Sequence, residues 1–308
     1  MTLQQLKYII AVDRYRSFAR AAEHCGVTQP TLSGMLLKLE DELGARIFDR
    51  SNKHVVPTAM GNRIIRQAEN AIAEANRIFD IVSEAKDSIS GELTLCVSPN
   101  IAPYLLPKFI KHYVAAYPEV KLTIEDVKAK AMAEILLHGN ADVGIATAGN
   151  AVEGIYEIPL YTERFMVYVS ENCLSRFPVF RPDNLEHENM WIMKESQCLR
   201  QSAFSFCKER AKGRRIYEAG NIETLIRIVD ENGGYTIIPE MHTPMLSEKQ
   251  RANVRKIDGD HLSERKVSLY IKSDYIREKM LGSIIDTLTS FMPKSMFEPK
   301  ILKFGIKL

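Results

Sequence analysis

Two thiols nine positions apart, Cys198 and Cys207 in the run Gln197-Cys198-Leu199-Arg200-Gln201-Ser202-Ala203-Phe204-Ser205-Phe206-Cys207, are the side chains best suited to chemistry in this chain. The run reads as a helix. A helix advances about 1.5 Å and 100° per residue, so nine residues place the two side chains on opposite faces, roughly 13 Å apart. A disulfide needs Cα atoms within about 7 Å. Bond formation would have to undo the helix between them, turning a local oxidation into a change of shape. The spacing also leaves open a second reading, two buried cysteines packed as small hydrophobes.

Few other residues offer chemistry. There is no GxSxG, HExxH or P-loop, Gly139, Gly144 and Gly149 do not fall at GxGxxG spacing, and the serines between Ser83 and Ser90 belong to a helix. No CxxC occurs, and the seven histidines do not stand at zinc spacing beside a cysteine pair. No catalytic residue, metal or cofactor is expected. Five cysteines in 308 residues are unlike the dense framework of a small secreted domain. The short apolar run Tyr8–Val12 is no signal sequence, and no stretch approaches the roughly 18 apolar residues that span a bilayer. The expectation is a cytoplasmic protein with no membrane contact, in which a disulfide would be transient and regulatory. Lys and Arg number 41 against 39 Asp and Glu, so any affinity for nucleic acid must come from local placement of charge.

The elements that must position these groups begin at the N-terminus. Leu3, Leu6, Ile9 and Ile10 repeat at helical spacing, Ser17 can cap a second helix that Gly26 closes, and Thr28 can cap a third with Pro30 in its first turn. On that third helix Leu32, Leu36, Leu39 and Leu43 form an inward stripe. Gln29, Pro30, Thr31, Ser33, Gly34 and Lys38 are left outside, small or hydrogen-bonding at the leading end, as suits entry into a major groove. Arg46–Arg50 and His54–Pro57 read as two short strands of a hairpin carrying Arg46, Arg50, Lys53 and His54, a basic wing for phosphate or the narrower groove. The bland alternative is a helical hairpin in a small core.

Thr58 can cap a long helix in which Ala68, Ala75, Val82 and Ile89 recur every seven residues. Such a heptad seam should pair with a second copy and so call for two half-sites in DNA; the alternative is packing on its own chain. Beyond Ser90-Gly91 strands alternate with helices, predicting βαβ units on a parallel sheet arranged as two lobes with a ligand cleft between. The length divides into a winged helix-turn-helix domain at 1–58, a dimerising linker helix at 59–89 and a two-lobed regulatory domain at 90–308.

Phe18-Ala19-Arg20-Ala21-Ala22, Thr28-Gln29-Pro30-Thr31-Leu32-Ser33 and Leu39-Glu40-Asp41-Glu42-Leu43-Gly44 resemble the DNA-binding end of LysR-type transcriptional regulators, and the likeness runs through the whole chain. Gly91–Leu95, Pro103-Tyr104-Leu105-Leu106-Pro107, Cys198-Leu199-Arg200 with Phe206-Cys207, and Glu223-Thr224-Leu225 with Ile237-Ile238-Pro239 are similar to the peroxide-sensing members. The resemblance implies an α/β protein with an all-α winged helix-turn-helix domain and a C-terminal two-lobed effector domain like a periplasmic binding protein. It implies Cys198 as the peroxide-reactive thiol, Cys207 as its disulfide partner, and a peroxide pocket of Asn100, Gln197, Arg200 and Arg265. Four positions depart from the family: Asn100 and Ala129 stand for threonines, Gln197 for a histidine and Gln201 for an aspartate. Asn and Gln keep hydrogen-bonding capacity that Ala129 lacks.

The function expected is a DNA-binding regulator of the oxidative-stress response, an activator working as a homodimer or homotetramer. Its partners would be double-stranded DNA, hydrogen peroxide as oxidant, a thiol reductant and RNA polymerase. A LysR-type regulator answering a metabolite in the inter-lobe cleft is one alternative, and a thiol peroxidase that happens to bind DNA is another.

Overall fold

The structure is a computed structural model and describes residues 1–49, 55–84, 88–172, 191–193, 216–217, 222–257 and 264–304. It divides into two compact units, residues 1–88 with 134–142, and residues 89–133 with 143–308.

The first unit opens with three helices, α1 (Leu3–Tyr15), α2 (Phe18–His24) and α3 (Gln29–Leu43). Each has a side-chain cap. Thr2 forms a capping box with Gln5, Ser17 accepts from the Arg20 N–H, and Thr28 accepts from the Thr31 N–H, as a hydroxyl at the N-cap should. Gly26 takes a left-handed φ of 67° after α2. Ile9, Val12, Ala21, Leu32, Leu36 and Leu39 are buried in one core, and shortening any of the three leucines would cost about 2–5 kcal/mol. Leu43, expected on the inward stripe, is 40% exposed. It stands in the last residue of α3, beside the left-handed Gly44 that turns the chain away from the core.

Strands β1 (Phe48–Asp49) and β2 (Val56–Pro57) pair antiparallel, as the sequence suggests, with Phe48 opposite Pro57. Helix α4 (Ala59–Glu84) follows, capped by Thr58, whose hydroxyl oxygen accepts from the Gly61 N–H at 2.8 Å. Gly61 is required by space: a Cβ there would lie 1.9 Å from the Ile47 carbonyl oxygen. The heptad reading splits in two. Ile65 and Ala68 are buried in the three-helix core and Ala71 and Ile72 pack against it, while Ile78, Phe79, Ile81 and Val82 are exposed. Ile89 is not the fourth heptad position expected: Ser88–Ser90 are non-helical, and Ile89 packs on the core of the second unit.

The second unit holds β3 (Gly91–Val97), α5 (Ala102–Ala116), β4 (Val120–Asp126), β5 (Val143–Thr147), β6 (Ile155–Val169) and the short pair β7 (Ile192–Met193) and β8 (Ile216–Tyr217). Helix α6 (Ala129–Leu137) begins in this unit. There follow α7 (Ile222–Asn232), β9 (Tyr235–Pro239), a 3-10 turn at Glu240–Met245, α8 (Glu248–Arg251), β10 (Val254–Lys256), β11 (Glu264–Lys272), α9 (Glu278–Phe291) and α10 (Pro299–Phe304).

Strand order is β10-β6-β11-β5-β3-β4, with β9 also paired to β6. The sheet is mixed rather than wholly parallel. Strands β3, β4 and β5 run parallel, as βαβ crossovers require, but β11 runs antiparallel to β5 on one side and to β6 on the other. The alternation of strands and helices predicts the first group and says nothing about the direction of strands reached by longer excursions. Fifteen-residue β6 pairs with β11 through Arg164 and then with β9 and β10 from Phe165 onward, so one strand serves both lobes. The larger lobe packs Leu93, Leu95, Leu105, Phe109, Val143, Ile145, Leu269 and Leu281 between its sheet and helices α5 and α9. In the smaller, Leu225, Ile226 and Val229 on one face of α7 cover Tyr168, Trp191 and Ile238.

Candidate functional site

Two sets of residues stand out, one exposed and one buried. On α3, Gln29, Pro30, Thr31 and Lys38 are exposed and Ser33 is half-buried, while Leu32, Leu36 and Leu39 are buried. The Thr31 hydroxyl lies 2.8 Å from that of Thr28, so it takes part in the helix cap as well as facing outward. Arg50, Lys53 and His54 lie outside the described residues.

Sequence reasoning missed the group that fixes the hairpin to this helix. Glu40 is buried, and its Oε1 accepts from the Ile47 N–H at 2.7 Å and the Phe48 N–H at 3.2 Å. A carboxylate accepting two backbone donors ties the wing's first strand to the helix meant to read DNA. The signal was a charged residue next to the apolar stripe, four positions after Leu36.

The buried set is built on Arg265. In the β6–β11 ladder Arg265 stands directly opposite Glu163, so the two side chains share a face. Arg265 is 3% exposed and Glu163 1%. The Arg265 Nε donates to Glu163 Oε1 at 2.7 Å, Nη2 lies 2.7 Å from the same oxygen, and Nη2 also donates to the Tyr104 hydroxyl at 3.0 Å and the Asn100 carbonyl at 3.4 Å. Tyr104 gives its only hydroxyl proton to Glu163 Oε1 at 2.7 Å. The 3.1 Å contact between Tyr104 and Tyr161 is therefore a bond donated by Tyr161.

Burial opposes the Arg265 charge, but Glu163 and the two tyrosine oxygens outweigh it and hold the guanidinium above its ordinary value. Burial pushes both Tyr104 and Tyr161 well up, reinforced at Tyr104 by Tyr161 and then Glu163 and at Tyr161 by Glu163, so both remain neutral donors. The guanidinium also stands 5.8 Å from the Phe165 ring centroid.

Glu163 Oε2 in this cluster is buried without a hydrogen-bond partner, as are Asn100 Oδ1, Ser98 Oγ and His242 Nδ1. Of the expected pocket residues the structure thus brings together Asn100 and Arg265. Ala129 begins α6, with no polar atom to add. Cys198, Cys207, Gln197, Arg200 and Gln201 lie outside the described residues. Glu163, Tyr161 and His242 were not foreseen, and Tyr104 was noticed only as part of a motif. The spacing of Tyr161, Glu163 and Phe165 at every second position of one strand was a usable signal for one buried face. Among the remaining thiols, Cys96 is buried in β3 and Cys25 half-buried at the end of α2, and neither is in a disulfide. Among the described residues no helix is long and apolar enough to cross a membrane.

Comparison with known proteins covers both parts of the chain. Residues 3–62 match the family "Bacterial regulatory helix-turn-helix protein, lysR family", and residues 86–293 match "LysR substrate binding domain". The chain is 31% identical over 262 residues to the hydrogen peroxide-inducible genes activator of Haemophilus influenzae, covering 83% of this chain and 85% of that protein. It is 30% identical to the DNA-binding transcriptional dual regulator OxyR of Escherichia coli, over 82% and 83% of the two chains. In fold it resembles a full-length OxyR variant from Pseudomonas aeruginosa, with a TM-score of 0.74, 24% identity and 94% of each chain covered.

Proposed function

Because the chain belongs to the LysR family of transcriptional regulators, we propose that it senses hydrogen peroxide through Cys198 and Cys207 and passes the change to DNA held by a dimer. Membership makes it a DNA-binding regulator and not an enzyme, which sets aside the thiol peroxidase alternative. The observation that carries the finer reading is the cysteine pair itself, set in a chain about 30% identical to peroxide-inducible activators over four fifths of its length.

The chemistry is a two-step oxidation. The Cys198 thiolate attacks one peroxide oxygen, the O–O bond breaks, and hydroxide leaves with the electron pair to take up a proton as water. The Cys207 thiol then displaces the second hydroxyl of the sulfenic acid, again as water, and the disulfide forms. A dithiol reductant returns two electrons and two protons to reset it. A helix over 198–207 cannot contain that bond, so oxidation repacks the regulatory domain of 90–308.

Helix α3 with Gln29, Pro30, Thr31, Ser33 and Lys38 reads the major groove, and Arg50 and Lys53 on the wing meet phosphate. The exposed Ile78, Phe79, Ile81 and Val82 on helix α4 supply a face for a second copy, and dimers pairing into tetramers would extend the contact along DNA.

Brief peroxide treatment of the full-length reduced protein, followed by nonreducing digestion and mass spectrometry, should yield a Cys198–Cys207 peptide together with a changed footprint on operator DNA. A changed footprint without that peptide would refute the switch. Cys198→Ser should abolish the response; if a small metabolite still shifts DNA binding of that variant and peroxide never does, the cleft-ligand reading stands instead.

A further inference from the structure

The hairpin beside α3 is too short to fix its own angle. Strands β1 and β2 are two residues long, and the partner of Phe48 is Pro57, which has no N–H to give. A two-stranded hairpin is marginal in water even when longer. The backbone groups of its first strand are instead taken from outside. From α3, Glu40 Oε1 accepts the Ile47 and Phe48 N–H groups at 2.7 and 3.2 Å. From the residue that caps α4, the Thr58 hydroxyl donates to the Arg46 carbonyl at 2.7 Å, and the Thr58 N–H donates to the Ile47 carbonyl at 2.9 Å. The same hydroxyl oxygen accepts from the Gly61 N–H at 2.8 Å, so one side chain serves both the helix cap and the hairpin. Gly61 lets α4 approach the Ile47 carbonyl more closely than any side chain would allow. The Ile47 and Phe48 side chains, 0% and 1% exposed, sit in the core that α1 to α4 share.

We propose that Glu40 and Thr58 are positioning residues for DNA binding, which clamp Arg46–Phe48 between α3 and α4 so that the recognition helix, the wing and the start of the linker helix turn as one body. The inference deepens the DNA-binding reading and rests on the wing meeting phosphate through Arg50. Glu40 is 4% exposed and acts through the backbone it holds. A movement of α4 carries both DNA-facing elements with it, and the angle between them is kept. Without the clamp the wing keeps its basic residues but loses the angle at which they reach phosphate.

The test measures operator affinity and its salt dependence with the full-length protein. Glu40→Met removes the acceptor at nearly the same length and Glu40→Gln keeps it; Thr58→Val removes the hydroxyl at nearly the same shape and Thr58→Ser keeps it. Each is combined with Arg50→Ala and assayed well below its own melting temperature, and Thr58→Val carries the test if Glu40→Met does not fold. Arg50→Ala should weaken binding about fivefold in wild type, Glu40→Gln and Thr58→Ser, but less than about twofold in Glu40→Met and Thr58→Val, because a misplaced wing has little contact left to lose. Glu40→Met alone should weaken binding about tenfold and lower the salt slope by about one, as loss of a phosphate contact does. An Arg50→Ala penalty of the same factor in every background would mean that Glu40 and Thr58 act on stability alone, and would overturn the proposal. Glu40→Gln as impaired as Glu40→Met would do the same. If Arg50→Ala changes nothing in wild type, the wing's contact with phosphate is removed, and the proposal with it.

Discussion

The outer face of α3 and the cluster around Arg265 solve opposite problems. Gln29, Thr31 and Lys38 stand in solvent, and none belongs to the apolar core of its unit. Glu163, Tyr104, Tyr161 and Arg265 are buried and hydrogen-bond one another, with Glu163 Oε1 accepting from both Tyr104 and Arg265. The first face can be rewritten to read another sequence at almost no cost in folding. The second cannot change one member without stranding another, because a buried charge left alone is far more costly than the pair was beneficial. A regulator built this way can diversify its DNA-facing surface freely while its buried cluster stays tied to the stability of the sheet.

Glu163→Leu tests that contrast most severely. It leaves the Arg265 guanidinium buried without its carboxylate, and denaturant unfolding should show a loss of about 3–5 kcal/mol. Adding Arg265→Leu should recover a large part of it, since two apolar groups strand nothing. If the double variant is no more stable than the single one, the cluster is not the coupled unit described. Gly61→Ala comes next. Its Cβ would meet the Ile47 carbonyl oxygen at 1.9 Å, so α4 must move off the wing, at about 1–3 kcal/mol. DNA affinity should fall in parallel, because Ile47 begins the segment that Glu40 holds to α3. Unaltered unfolding would mean that α4 can shift freely.

Much of the first unit was legible because its signals are local. A cap at Thr28, a proline in the first turn and leucines at positions 32, 36 and 39 lie within one helix and need no knowledge of distant contacts. The Arg265 cluster was legible only as a resemblance. Glu163 and Arg265 are 102 residues apart, and nothing short of the β6–β11 register puts them face to face. The heptad reading failed halfway for a related reason: Ile65 and Ala68 have the right period for a partner helix, but the three-helix core of their own chain claims them first.

Gln29→Ala sharpens the comparison from the other side. It should cost about 1–3 kcal/mol in discrimination between operator and altered operator, measured by competition at fixed salt. Unfolding should stay within about 0.5 kcal/mol of wild type. Arg50→Ala should weaken binding to all sequences and reduce the salt slope by about one. A stability loss at Gln29 comparable with that at Glu163 would erase the distinction between the two regions.

The smallest effect expected is in the response to pH. His242 is held below its ordinary value of 6.5, first by burial, with Arg265 adding to the effect and Glu223 and Glu163 opposing it. Tyr104 and Tyr161 stay neutral throughout this range, and the Arg265 charge does not change. Above 6.5 the ring is neutral in both folded and unfolded chains and contributes no slope. As pH falls through that value the unfolded chain takes up a proton that the folded one resists, and stability must drop. His242→Asn removes the titrating group while keeping a polar atom, so its stability curve between pH 7 and 5 should be flatter than that of wild type. Parallel curves would place the source of any acid sensitivity elsewhere, and would mean that the ring accepts its proton in the folded state without penalty.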